Sequence, residues 1–248
     1  MKTGLPIEAV SLLHSSKVPI EDLEGEAARL LEPALISHFE AFPAGEAVLL
    51  PLFFGPSAAL TEYVPARLAS ISNRFPDARV RIAPWLVNPG EAGDTRLARV
   101  LADQVRGTAR GLGWNRAKVV LVDHGSPQAG VAAVRDHLGR QLRAELAGEI
   151  EALAVASMER REGAEYDFNE PLLEAVLRTP PFDHGEVVVA LQFLSPGRHA
   201  GPGGDIATIC AAAQAERSGL VTQMTEPIAS DARLVDMLVE RLGQAADL

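Results

Sequence analysis

Cysteine is nearly missing from this chain: among 248 residues only Cys210 carries a thiol, so no intramolecular disulfide can hold the fold together. That fits a reducing compartment, and a cytoplasmic protein is expected. Long apolar runs are missing too. No stretch reaches the about 18 uninterrupted apolar residues that a membrane span needs. The amino-terminal MKTGLPIEAVSLLHSSK, interrupted by Glu8 and His14, lacks the apolar centre and cleavage site of a signal peptide. Basic residues are in the minority, 23 against 33 acidic, and the formal charge of −10 argues against a nucleic-acid surface. There is no G-x-x-x-x-G-K-[ST] loop, so no bound nucleotide and no ATP hydrolysis are expected. There is no G-x-S-x-G elbow either. A serine hydrolase built on Ser126 or Ser195 is disfavoured, since each serine sits beside a proline. What is present, 47% apolar and 23% charged residues, suffices to bury a full core without a structural metal.

The chain repeats itself. LLHSS (12–16) resembles LVDHGS (121–126), PLFFGPSA (51–58) resembles LQFLSPGR (191–198), and DTRLARVLADQV (94–105) resembles DARLVDMLVERL (231–242), in the same order in both halves. The second half carries about thirty extra residues between its first two blocks, the length of one strand plus one helix. Two similar α/β halves are therefore expected, a shortened one over 1–113 and a complete one over 114–248, with WNRAK (114–118) as the junction. Such an internal pseudo-dimer points to a monomer, although a homo-oligomer is compatible with it.

In the second half KVVLVDHG (118–125) is a β-branched run of the kind buried in parallel sheets. Strands are expected again over 151–158, 186–194 and 220–224, with helices over 129–147, 169–178, 205–217 and 230–244. The first half reads as strands over 8–13, 46–54 and 79–86 and helices over 22–40, 60–74 and 94–111. Alternation of this kind predicts parallel sheets covered by helices.

Ligands in open parallel sheets bind beyond the carboxyl ends of the strands. Applied to the second half, that rule selects His124 after the first strand and Glu159 after the second. His199 follows in the loop after the third, and Thr225 and Glu226 come after the fourth. Each alone has a plain structural reading. Three on one rim are harder to explain by packing, and two imidazoles with a carboxylate suit a borderline divalent ion. His38 and His137 lie in helical patterns and are expected to face solvent or a neighbouring helix. His184 lies at the opposite end of its strand. His14 holds the first-half rim, but Ala58 and Ala59 stand where the second half has Arg198 and His199. The chemistry is expected in the second half alone.

VLVDHGS (120–126), ASMER (156–160) and FLSPGRHAGPGGDI (193–206) resemble motifs of the sirohydrochlorin cobaltochelatases and ferrochelatases, the small ATP-independent chelatases of cobalamin and siroheme biosynthesis. The resemblance is close from about 118 to 244 and looser before. It implies two similar α/β halves facing each other across a cleft, and insertion of a divalent metal, Co²⁺ first, with Fe²⁺ or Ni²⁺ as alternatives, into a tetrapyrrole. His124 and His199 match the family's metal-handling histidines, and Glu159 an acidic residue beside them. The Gly-Pro-Gly-Gly stretch at 201–204 departs from the pattern by lengthening the loop before Asp205. For the polyanionic substrate, Arg198 and Ser126 are the nearest candidates. Arg160, Arg161, Lys17 and the amides of 201–204 are further ones. Two other readings stay open: a carrier that binds metal or tetrapyrrole without turnover, and a structural pseudo-dimer without a site.

Overall fold

The run KVVLVD becomes strand β3 (Lys118–Asp123), buried along its whole length at the middle of a sheet. A computed structural model describes residues 3–12, 20–23, 25, 27–91 and 93–246, in two compact units, Val87–Met237 and Met1–Leu86 with Leu238–Leu248. In the first of these, β3 pairs in parallel with β4 (Leu153–Ser157) and with β5 (Gly185–Leu191), and β5 with β6 (Leu220–Met224), giving the order β4-β3-β5-β6. Val120, Val122, Val187, Val189 and Leu191 share one core with Leu173, Val176 and Leu177 and with Ile206, Cys210 and Ala213. These belong to the short α5 (Leu173–Val176) with the residue after it and to α6 (Asp205–Glu216). The opposite pleat carries Leu121 and Asp123 towards α4 (Ala129–Glu145), whose Gly139 lies against Leu121 and Val155. α3 (Arg96–Gly111) packs beside α4 and on β5. Each fully buried Val or Leu contributes about 1.5–3 kcal/mol, and this double burial is why β3 and β5 read as unbroken apolar runs.

The other unit holds α1 (Leu31–Ala41), β1 (Glu46–Leu49), α2 (Val64–Arg74) and β2 (Arg79–Ile82), the two strands pairing in parallel. Leu31, Leu35 and Phe39, spaced at i, i+4 and i+8, form one stripe of α1. They pack with Val64 and Ile71 of α2 over Ala47, Leu49, Val80 and Ile82. Both units are thus parallel α/β structures flanked by helices, as the alternation predicts.

Three expectations need correction. Among the described residues 8–12 no strand forms; Ser11 makes a single parallel bridge to Leu30. The helix expected over 22–40 begins at Leu31, after a 3-10 turn at Ile20–Leu23 that stops at Gly25, held at φ +90°. The helix expected over 169–178 shrinks to α5, because Pro171 holds Glu170 extended and Pro180 follows closely. The closing helices also sit differently from the 113/114 division. α3, which buries Leu97, Ala98, Val100, Leu101, Ala102 and Val105, belongs with the four-stranded sheet. The last turns of α7 (Arg233–Ala246) belong with the two-stranded one, where Arg241 donates to Leu86 O at 3.1 Å and Arg81 to Ala245 O at 3.2 Å.

Candidate active site

Beyond the carboxyl ends of β3 and β4 the ladder continues for two more bonds: Met158 N donates to Asp123 O at 2.8 Å and Glu159 N to His124 O at 3.2 Å. His124 and Glu159 are thereby held side by side by the backbone. Gly125 makes this possible. Its φ is +89°, and a Cβ there would lie 1.9 Å from Glu159 O. His199 arrives from the loop after β5, which folds on itself through Gly201 N to Gly197 O at 2.8 Å and Gly204 N to Gly201 O at 3.0 Å.

The three predicted residues meet. The rings of His124 and His199 stand edge to face, centroids 4.7 Å apart at 78°. Glu159 Oε1 is 3.6 Å from His124 Nε2. His124 Nδ1 lies 3.0 Å from Gly125 O, and a carbonyl can only accept, so Nδ1 is the donor, which in a neutral ring leaves the lone pair on Nε2. His199 Nδ1 lies 2.6 Å from Asp205 Oδ2. The side chains are accessible, 45% for His124, 33% for His199 and 62% for Glu159. Among the described residues no three His, Cys, Asp or Glu side chains are gathered as a metal cage. The site is an open pair of imidazoles with a carboxylate at its edge, able to touch an ion or take up protons from a ligand laid over it.

A model of the CbiX family matches residues 118–245. The chain belongs to the CbiX family. No curated protein matches it. Among solved structures it is similar to SirB from Bacillus subtilis with Fe³⁺, with a TM-score of 0.62 and 13% identity over 90% of this chain and 80% of that one. It is similar to the sirohydrochlorin chelatase SirB from Bacillus subtilis subspecies spizizenii in complex with cobalt, with a TM-score of 0.60 and 13% identity over 88% and 76%. It also resembles CbiX, the terminal enzyme for biosynthesis of siroheme in denitrifying bacteria, with a TM-score of 0.51 and 18% identity over 81% and 76%. At these identities the likeness is one of fold. The CbiX match spans β3 to α7 and contains His124, Glu159 and His199.

Beneath the CbiX rim lies a buried polar chain. Arg135 of α4 donates to Ser157 Oγ at 2.6 Å, to Asn169 O at 3.0 Å and to Phe168 O at 3.1 Å. Ser157 Oγ donates to Asp123 Oδ1 at 2.6 Å, which also accepts from Gly125 N at 3.1 Å. Asn169 accepts from Ser126 N and donates to Ser126 O, both at 2.9 Å. The His-Gly-Ser turn is therefore clamped from two sides, through Asp123 Oδ1 and through Asn169, while Asp123 Oδ2 is buried without a partner among the described residues. Burial pushes the Asp123 carboxyl above the usual range, while its Ser157 hydrogen bond and the Arg135 charge oppose this.

The sequence did not announce Arg135, Asn169 or Ser157, and Asp205 stood in a quoted motif without a role. Arg135 lies on a helix where a charge reads as solvated, and nothing local marks it as buried. Asp205, at the first turn of α6 six residues after His199, was the recoverable signal. Other candidates are otherwise engaged. Ser126 Oγ accepts from Gln128 N at 3.1 Å at the entry to α4. Thr225 Oγ1 accepts from Leu191 N at 3.0 Å, tying β6 to β5. Arg160 pairs with Asp167 and Glu170, and Arg161 lies over the Tyr166 ring. The amides of Gly201 and Gly204 are used inside the loop, and Asp205 N and Ile206 N go to Arg198 O and His199 O. The Gly201 and Gly204 amides are therefore not offered to a carboxylate, contrary to the expectation for them. Arg198 is 85% exposed, its Nε 3.9 Å from Asp205 Oδ2. Glu226 is exposed, and His184 sits at the opposite strand end, bonded to Asp183. His14 and Lys17 lie outside the described residues.

Proposed function

We propose that this chain inserts a divalent metal ion, Co²⁺ first and Fe²⁺ or Ni²⁺ as alternatives, into sirohydrochlorin or a related tetrapyrrole, without a nucleotide. The observation that carries the reading is the meeting of His124, His199 and Glu159 on one rim, 4.7 Å between rings and 3.6 Å from imidazole to carboxylate. The SirB structures with iron and cobalt are those of proteins with the same fold. Insertion exchanges one M²⁺ for the two pyrrole N–H protons. The site must present a partly desolvated ion and accept protons in turn. His124 and His199 alternate as metal ligand and proton acceptor, and Glu159 is the charge partner and secondary ligand. The open coordination suits an ion in transit, since a closed cage would hold it.

Arg198, 85% exposed, is the cation for a substrate carboxylate, and Ser126 is a further contact for it. The single buried Cys210 accords with a reducing cytoplasm. No helix among the described residues is long and apolar enough to cross a membrane. Purified protein mixed with sirohydrochlorin and Co²⁺, Fe²⁺ or Ni²⁺ should accelerate the absorption change of insertion over the protein-free rate. Binding of both partners without acceleration would make the chain a carrier instead.

A further inference from the structure

We infer that Asp205 is a positioning residue that locks His199 in the tautomer protonated at Nδ1, so that Nε2 offers its lone pair at the rim. The inference rests on His199 being a working residue of the site proposed above. Its physical basis is the 2.6 Å contact between His199 Nδ1 and Asp205 Oδ2. An ionised carboxylate has no hydrogen to give, so the imidazole must donate, and the bond has the length of a charge-assisted one. The same oxygen lies 3.9 Å from Arg198 Nε.

The geometry is built in. Asp205 N donates to Arg198 O at 3.2 Å and Ile206 N to His199 O at 3.1 Å, folding the first turn of α6 back along the 198–199 segment. At Gly204 a Cβ would come within 2.6 Å of Arg198 O, so that fold-back needs glycine. The Asp205 side chain is 45% exposed, and core packing does not account for it. His124 reaches the same tautomer by another route, through Gly125 O. The first-half counterpart of this loop, GPSAALTEY (55–63), contains neither histidine nor aspartate. Ring and partner are missing together there.

The test is long-range ¹H–¹⁵N correlation of the imidazoles in the metal-free full chain, under conditions where they are neutral, with His199 assigned by its loss in His199→Ala. The wild type should show His199 as Nδ1–H. Asp205→Ala removes the acceptor and should move His199 largely to Nε2–H. Asp205→Glu should restore Nδ1–H, and His124 should keep its tautomer throughout, which also reports that the rim is folded. Insertion by Asp205→Ala should fall about 10–100-fold, the range for partners that orient working histidines, mostly in kcat and with KM for tetrapyrrole within about twofold. A wild-type His199 protonated at Nε2, or an Ala variant that keeps Nδ1–H, overturns the inference. The tautomer is read without metal or tetrapyrrole. A wild type that fails to insert metal therefore overturns the proposed function and leaves this question to the spectra.

Discussion

β1–β2 and β5–β6 are wired alike and end differently. Ala83 N donates to Leu49 O at 2.8 Å, as Thr225 N does to Val189 O at 3.0 Å; Leu86 N donates to Phe53 O at 3.0 Å, as Ile228 N does to Phe193 O at 2.8 Å. Asp94 takes the backbone N and Nε of Arg96, and Asp231 takes those of Arg233. The repeats seen in the sequence are thus repeats of hydrogen bonding. What separates the two is the rim. The β5 loop is long enough to carry His199 back to Asp205, and β4 supplies Glu159. The other pair goes from Phe53 almost directly into a helical turn at Ala59–Tyr63. Backbone wiring is shared where the rim residues differ because none of these bonds runs through the rim side chains.

The largest effect that would break this comparison is loss of the site. His124→Ala and His199→Ala should each reduce insertion by about 10²–10⁴, measured as the initial rate of the tetrapyrrole absorption change, with folding intact. Next comes stability. Arg135→Met strands buried acceptors on Ser157, Asn169 and Phe168, at about 2–4 kcal/mol in urea unfolding. Arg74→Met in the smaller unit breaks an exposed pair with Glu40 and should cost less than about 1 kcal/mol. Equal costs would refute the idea that the second rim rests on a buried polar chain.

Those contrasts mark what the sequence could convey. KVVLVD and EVVVAL declared buried parallel strands through composition alone, and His124, Glu159 and His199 followed from the rule about strand ends. The support did not. Arg135 sits at a helical position where nothing local separates a buried guanidinium from a solvated one; besides the neighbouring Asp136, its partners come from residues 157 and 168–169. The membership of α3 and α7 was equally hidden, since an amphipathic stripe states that a helix packs and leaves open against which sheet.

A smaller difference separates two glycines of nearly equal φ. Gly125→Ala must move the Glu159 carbonyl, whereas a Cβ on Gly25 (φ +90°) meets nothing within 4 Å. Gly25→Ala should cost about 1–2 kcal/mol of left-handed strain and leave insertion unchanged. Gly125→Ala should cost more and slow insertion at least about tenfold, as displacement of His124 by a fraction of an ångström would. His14→Ala should change the rate by no more than about twofold, because its half has Ala59 in place of a second imidazole; a loss as large as that of His199→Ala would relocate the active half.

The smallest effect concerns pH. His137 of α4 is buried, with Nε2 unpartnered among the described residues. Burial holds its pKa below the ordinary value of 6.5, Arg140 adds to this, and Asp94 opposes it. The unfolded chain therefore binds a proton at higher pH than the folded one does. The stability contributed by the neutral ring is fully present above about pH 6.5 and diminishes as pH falls below it, towards the lower folded value. Urea midpoints of the wild type should drop between about pH 7 and pH 5, and His137→Leu, which has no proton to gain, should show a shallower drop. Equal slopes for the two proteins would mean that other groups of the larger unit set its acid sensitivity, and that the ring can be protonated in place.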